Sequence, residues 1–167
     1  DKFAMKQHLV ALGIPTTLGA LCLNQLDLIT AILGPLAAGY GDWVIKPLDS
    51  RGARGVMRLL PSVNTAVAYG IARDQSPTKR VLIEEWLPGP QLSTETVVLP
   101  DRTTWTYVLD RNYSRLDEFA PYVIEDGATA PSTLSPAAEG TVIRLAEQTA
   151  LALVPPGVGA TVKGDLV

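Results

Sequence analysis

Val44-Ile45-Lys46-Pro47-Leu48-Asp49-Ser50-Arg51-Gly52-Ala53-Arg54-Gly55 is the most informative stretch of this 167-residue chain. Residues 43–47 are rich in β-formers and closed by a proline, so they predict a strand that ends in a lysine. Residues 55–60 alternate before Pro61 and predict a second strand. The loop between them carries charge and glycine. Such a loop can lay backbone N–H groups over phosphate oxygens, while Lys46 supplies a compact positive charge. It is not a Walker loop, because no Gly-Lys-Ser/Thr opens a helix here. A plain hairpin with a polar tip fits the same spacing.

Working outward, residues 3–12 place Met5, Leu9 and Leu12 at helical spacing, with Gly13 as the stop. Asn24 and Asp27 open a second helix over 25–33, carried by Leu26, Ile29, Ile32 and Leu33 and ended by Gly34-Pro35. Downstream, Ser62 caps a helix over 63–73, and residues 80–86 form a buried strand. Residues 92–99 and 103–109 alternate as a hairpin around Pro100-Asp101. Residues 111–135 show no periodicity and read as a long connection. Ser135-Pro136 is an N-cap and N1 pair for a helix using Val142, Leu145, Ala146, Thr149 and Leu153, stopped by Pro155-Pro156-Gly157. Residues 160–167 form a last strand. The sum is an α+β chain with antiparallel pairing and no internal repeat.

Composition narrows the functional classes. The chain is 47% apolar and 19% charged, with 14 basic and 17 acidic residues and a net charge of −3. No basic surface of the kind that holds a nucleic-acid backbone is implied. The longest apolar run, from Leu151 to Pro156, is far short of the ~20 residues of a bilayer span, so no membrane partner is expected. A lone Cys22 and a lone His8 exclude a disulfide framework and a Cys/His metal cluster, so any metal must be held by carboxylates. The chain reads as a piece of a longer one, and the cytoplasm is its expected location.

Two further clusters could carry chemistry. Glu84-Glu85-Trp86-Leu87-Pro88-Gly89-Pro90-Gln91 is a strand running into a turn. Its exposed main chain could pair with a purine edge and its polar groups could reach a ribose; a solvated strand end is the plain alternative. Lys163 and Asp165 alternate on a strand and share a face, where a cation could meet phosphate and a carboxylate could take up Mg²⁺; an ordinary cross-strand charge pair fits equally. Lys2 and Lys6, one helical turn apart, read as a solvated face. Trp43, Trp105 and Tyr107 read as core or rim aromatics.

The order of these pieces, Asp1-Lys2 to Gly13-Ile14-Pro15-Thr16, then Val44-Ile45-Lys46-Pro47 with Gly52-Ala53-Arg54-Gly55, then Glu84-Glu85-Trp86-Leu87-Pro88-Gly89, then Lys163-Gly164-Asp165, resembles the ATP-grasp superfamily over the whole chain. The resemblance implies two α+β lobes with antiparallel sheets: residues 1–88 as the nucleotide-clamping lobe with its leading helix, and 89–167 as the start of a second, incomplete lobe. It implies ATP and Mg²⁺ as cofactors. Lys2 and Lys46 would touch the nucleotide phosphates, and Ser50, Gly52 and Gly55 would lie on the loop that closes over them. The catalytic charge would fall on Lys46 and Arg54. Glu84, Glu85, Trp86 and Leu87 would form the linker that reads adenine. Gln91 stands where the similar D-alanine:D-alanine ligases carry a ribose-binding glutamate; it can hydrogen-bond a hydroxyl but has no charge. Lys163 would be a basic partner of the phosphates and Asp165 the first Mg²⁺ carboxylate.

A following strand with glutamate, one residue, then asparagine completes the metal site in that family, and no such strand occurs in these residues. The implied activity is an ATP-dependent ligase acting on a small-molecule carboxylate and an amine through an acyl phosphate, with this piece inactive alone. Two rivals are a regulatory module that binds nucleotide without ligase turnover, and an interaction domain with accidental motifs.

Overall fold

A computed structural model describes residues 1–37 and 41–167. The chain divides into two compact units. The first comprises Asp1–Ala11, Pro15–Leu87 and Arg115–Ile124, and the second Leu12–Ile14, Pro88–Ser114 and Glu125–Val167.

The first unit is built on a four-stranded antiparallel sheet. Its strands are β1 (Gly19–Cys22), β2 (Trp43–Pro47), β3 (Met57–Arg58) and β4 (Val81–Glu85), in the order β1-β4-β2-β3. Its helices are α1 (Lys2–Ala11), α2 (Gln25–Ala37) and α3 (Thr65–Gln75). Alternation along the strands divides the chemistry. Ile45 faces Ile83 across the β2–β4 ladder, and both join Cys22, Leu28, Trp43, Met57, Tyr69, Ala72 and Val81 in one core beneath α2 and α3. Glu84 and Lys46, each one residue further along its strand, therefore project from the opposite face.

Several elements differ from expectation. α2 runs on to Ala37 rather than stopping at 33; the fixed φ of proline is itself helical, so Pro35 removes one hydrogen bond from the last turns without ending the helix. α3 starts two residues later than 63, because Asn64 and not Ser62 is the N-cap. The Asn64 side chain accepts from the N–H groups of Ala66 and Val67. Asn64→Ala should lower stability by about 1 kcal/mol, read as a lower urea midpoint with an unchanged slope. β3 is only two residues long, since the Val56 N–H folds back on the Ala53 carbonyl at 3.1 Å and Pro61 lies just beyond. α1 buries Lys6 and Leu9, while Met5 and Leu12 are exposed. The short, small-residue strand β1 had no β-branched signal to announce it.

The second unit holds a second antiparallel sheet, ordered β7-β6-β5-β8, made of β5 (Gln91–Val98), β6 (Thr104–Asn112), β7 (Gly127–Thr129) and β8 (Ala160–Leu166). The β5–β6 hairpin around Pro100-Asp101 and the Ser135 cap of α4 (Pro136–Leu153) are as expected. Val98, Ala150 and Val154 centre the core between α4 and this sheet, with Leu151, Ala160 and Val162 against them. Arg102 donates to the carbonyls of Val154 and Leu151, both at 2.6 Å, so the hairpin tip covers the orphan carbonyls at the end of α4.

Residues 111–135 are not structureless. β6 continues through Asn112, β7 pairs with it, and Asp110 gathers Ser132 and Thr133 at 2.5–2.9 Å. Within the first unit, the Arg58 N–H donates to the Pro121 carbonyl at 2.8 Å. These bonds are long-range, and no local periodicity encodes them. No helix among the described residues is long and apolar enough to cross a membrane.

Candidate functional site

In the first unit the sheet face opposite the core gathers Lys6, Lys46 and Glu84. Glu84 is buried, with its two oxygens divided: Oε1 lies 2.9 Å from Lys6 Nζ and Oε2 lies 2.5 Å from Lys46 Nζ. Burial pushes the Glu84 carboxyl up, but Lys46 and then Lys6 outweigh it and hold it below the ordinary 4.5. Lys46 keeps 30% of its side chain exposed, whereas Lys6 keeps 9%.

Lys6 is therefore not a solvated residue. Its ammonium also donates to Thr16 Oγ1 at 2.8 Å and to the Thr17 carbonyl at 2.6 Å, which satisfies its three protons. Gly19 makes this possible. A Cβ there would lie 2.8 Å from the Ile83 carbonyl oxygen, 3.1 Å from Glu84 Cγ and 3.6 Å from Lys6 Cε, so only glycine lets both stems pass.

Lys2, at the start of α1, donates to the carbonyls of Pro47, Leu48 and Ser50 at 3.2, 3.2 and 2.8 Å. It thereby ties the end of β2 to the beginning of the loop. Burial, with the nearby charge of Lys46, lowers its pKa. Asp49 fixes the same corner from the other side, accepting from Ser76 Oγ at 2.5 Å and from the Thr78 N–H at 3.3 Å.

Beyond it, Arg51, Gly52, Ala53 and Arg54 are exposed, and Gly52, Ala53 and Gly55 all have left-handed φ, at 68°, 54° and 73°. The structure thus brings Lys2, Lys46 and Glu84 together beside Ser50, and sets Gly52, Arg54 and Gly55 on the turn that follows.

The linker is partly committed to the sheet. The Glu85 N–H donates to the Leu18 carbonyl at 3.0 Å and its carboxylate accepts from the Leu18 N–H at 2.7 Å. The Trp86 N–H donates to the Asp42 carbonyl at 2.8 Å, and the Arg58 guanidinium lies 4.5 Å from the Trp86 ring centroid. Leu87 is the first residue past these bonds. The two acids differ: Glu84 is closed off by two lysines, whereas Glu85 is partly exposed and accepts from the Leu18 N–H.

In the second unit α4 covers one sheet face and the other stays open. Register puts Asp165 opposite Ser93, Lys163 opposite Glu95, and Gln91 opposite Arg111. Lys163 and Asp165 are both exposed on this face, as the alternation predicts. Arg111, which sequence reasoning did not single out, lies 3.2 Å from Asp165 Oδ1 and also pairs with Glu125; Ser93 Oγ donates to the same Asp165 oxygen at 3.3 Å. Trp105 and Tyr107 share the face with ring centroids 6.1 Å apart, Trp105 being a surface and not a core residue.

The residues present do not make a Mg²⁺ site by themselves. Among the described residues no three His, Cys, Asp or Glu side chains converge as metal ligands, and one oxygen of Asp165 already meets a guanidinium. A covalent nucleophile finds no support in Cys22, which is fully buried with its thiol pushed up to about 11 by burial.

No family model and no curated protein sequence matches the chain. Solved structures do. VanG D-Ala:D-Ser ligase from Enterococcus faecalis superposes with a TM-score of 0.76 at 17% identity, over 98% of this chain and 47% of that one. The ADP complex of N5-carboxyaminoimidazole ribonucleotide synthetase gives 0.69 at 18% identity over 98% and 39%. D-alanyl-alanine synthetase A from Vibrio cholerae gives 0.72 at 13% identity over 97% and 49%. The chain spans less than half the length of each.

Proposed function

We propose, starting from the ATP-grasp fold that the chain shares with these ligases, that it is the ATP-binding region of a ligase joining a small-molecule carboxylate to an amine. The observation that carries this reading is the Lys2–Lys46–Glu84 cluster at the end of β2. Two ammonium groups stand there beside a glycine turn with three left-handed residues. Fixed cations at such a place stabilise phosphoryl oxygens without needing a protein nucleophile. Lys46 would contact the nucleotide phosphates, Lys2 would hold the loop corner over them, and Arg54 on the turn would approach the transferred group. The main chain of Glu84, Glu85, Trp86 and Leu87 would border the base, with Leu87 available past the sheet, and Gln91 would meet a ribose hydroxyl. On the open face of the second sheet, Lys163 would face the polyphosphate and Asp165 would supply one carboxylate toward Mg²⁺.

In the implied reaction a carboxylate oxygen attacks the γ-phosphorus and ADP leaves. The amine then attacks the acyl carbon, losing a proton as inorganic phosphate departs. The chain's own part is to bind and orient the phosphates. A second reading, nucleotide binding without turnover, is favoured by two observations: the uncharged Gln91, and the Arg111 contact on Asp165, the carboxylate assigned to the metal.

The test is thermal unfolding with ADP, GDP and no nucleotide, each with and without Mg²⁺. At ~100 times its dissociation constant, ADP should stabilise by about 2.7 kcal/mol, a shift of roughly 5–10 °C for a chain of this size. Lys46→Ala should remove the shift while lowering the melting temperature without ligand by only a few degrees, since Lys46 is partly exposed and the buried Glu84 keeps Lys6 as its counter-charge. An equal shift in wild type and Lys46→Ala would sink the phosphate assignment.

A further inference from the structure

We propose that Lys6 is a positioning residue for nucleotide phosphates: by taking Oε1 of Glu84, it leaves the cluster with a net positive charge that Lys46 presents to the ligand. The inference rests on the nucleotide-binding reading above, and it concerns a buried residue that this reading does not use. Glu84 and Lys46 alone would form a neutral pair, with the Lys46 charge turned inward at 2.5 Å. Lys6 changes that balance: two ammonium groups on one carboxylate leave a charge of +1. The buried end of this excess is fixed, because Lys6 is held by Thr16 and Thr17 as well as by Glu84. The accessible end is Lys46, which keeps 30% of its side chain in solvent.

A buried lysine with a complete set of acceptors is also what a purely structural anchor for α1 would look like. The two roles separate when the charge balance is restored without the anchor. Lys6→Met keeps the stem and removes the charge, so Lys46 is left as the one ammonium on Glu84, beside the Thr17 hydroxyl at 3.1 Å. ADP should then bind about tenfold more weakly, equivalent to ~1.4 kcal/mol, and its affinity should depend less steeply on salt than in the wild type. Lys6→Met/Glu84→Gln lacks the anchor as well, yet returns the Lys6–Lys46–Glu84 group to its +1, now carried by Lys46, with Lys2 unchanged. It should regain wild-type ADP affinity and wild-type salt dependence.

The experiment is titration of the whole chain with ADP at several ionic strengths for these three proteins. If wild type binds no ADP, the functional reading itself fails. If wild type binds but the double variant is as weak as the single, or if the salt slopes are parallel throughout, Lys6 is only an anchor and the proposal is overturned. Should Lys6→Met not fold, the double variant, which leaves no unpaired buried carboxylate, decides alone: wild-type affinity upholds the proposal and a tenfold loss overturns it.

Discussion

Glu84→Ala is expected to destabilise the first unit by about 3–5 kcal/mol, the usual cost of removing one member of a buried ion pair and leaving the other charge uncompensated. Glu84 is the single carboxylate on which Lys6 and Lys46 converge. Once it is gone, Lys6 retains the threonine oxygens but no counter-charge, in a place that Gly19 keeps tight. Chemical denaturation at neutral pH measures the loss. A difference under 1 kcal/mol from wild type would mean that water enters to solvate Lys6, and that the cluster is open where the structure has it closed.

The pH dependence of that difference carries a sign. Glu84 has a native pKa below 4.5, so the unfolded chain binds the proton more readily than the native one. Its stabilising contribution is complete above the unfolded value and is lost as pH falls through the native value. The gap between wild type and Glu84→Ala should therefore be constant from neutral pH down to about 4.5 and shrink below it. A gap that widened in acid would contradict the pairing.

Much of the fold was legible in the residues themselves. Strong local signals survived: the Ser135-Pro136 cap, the Pro100-Asp101 hairpin, and the two-residue step that puts Lys163 and Asp165 on one exposed face. So did the order of motifs that implied a two-sheet α+β fold. What failed was local inference about partners far along the chain. Lys6 looks like a surface lysine because its partners, Thr16, Thr17 and Glu84, lie beyond the reach of any helical period. The same distance hides Arg111 with Asp165, Arg102 with the end of α4, and the bonds that organise residues 111–135. Gly19 marks the close approach only once β1 is known, and no local pattern announces that strand.

Ile83→Ala isolates fold from function at the position next to Glu84. Ile83 is fully buried and faces Ile45 across the central ladder, in a core walled by Cys22, Met57 and Val81. Truncation removes three carbons from a site bounded by two strands that cannot close in, so a loss of about 2–5 kcal/mol is expected. Because successive side chains leave a strand on opposite faces, the cavity opens under α2 and α3 and away from the lysine cluster. Ile83→Ala should therefore lower the urea midpoint sharply while ADP affinity, measured where the protein remains folded, stays within about twofold of wild type. Lys46→Ala should do the reverse. If Ile83→Ala instead weakened ADP binding as much as stability, the two faces of this sheet would be coupled, and the division between core and binding face would have to be abandoned.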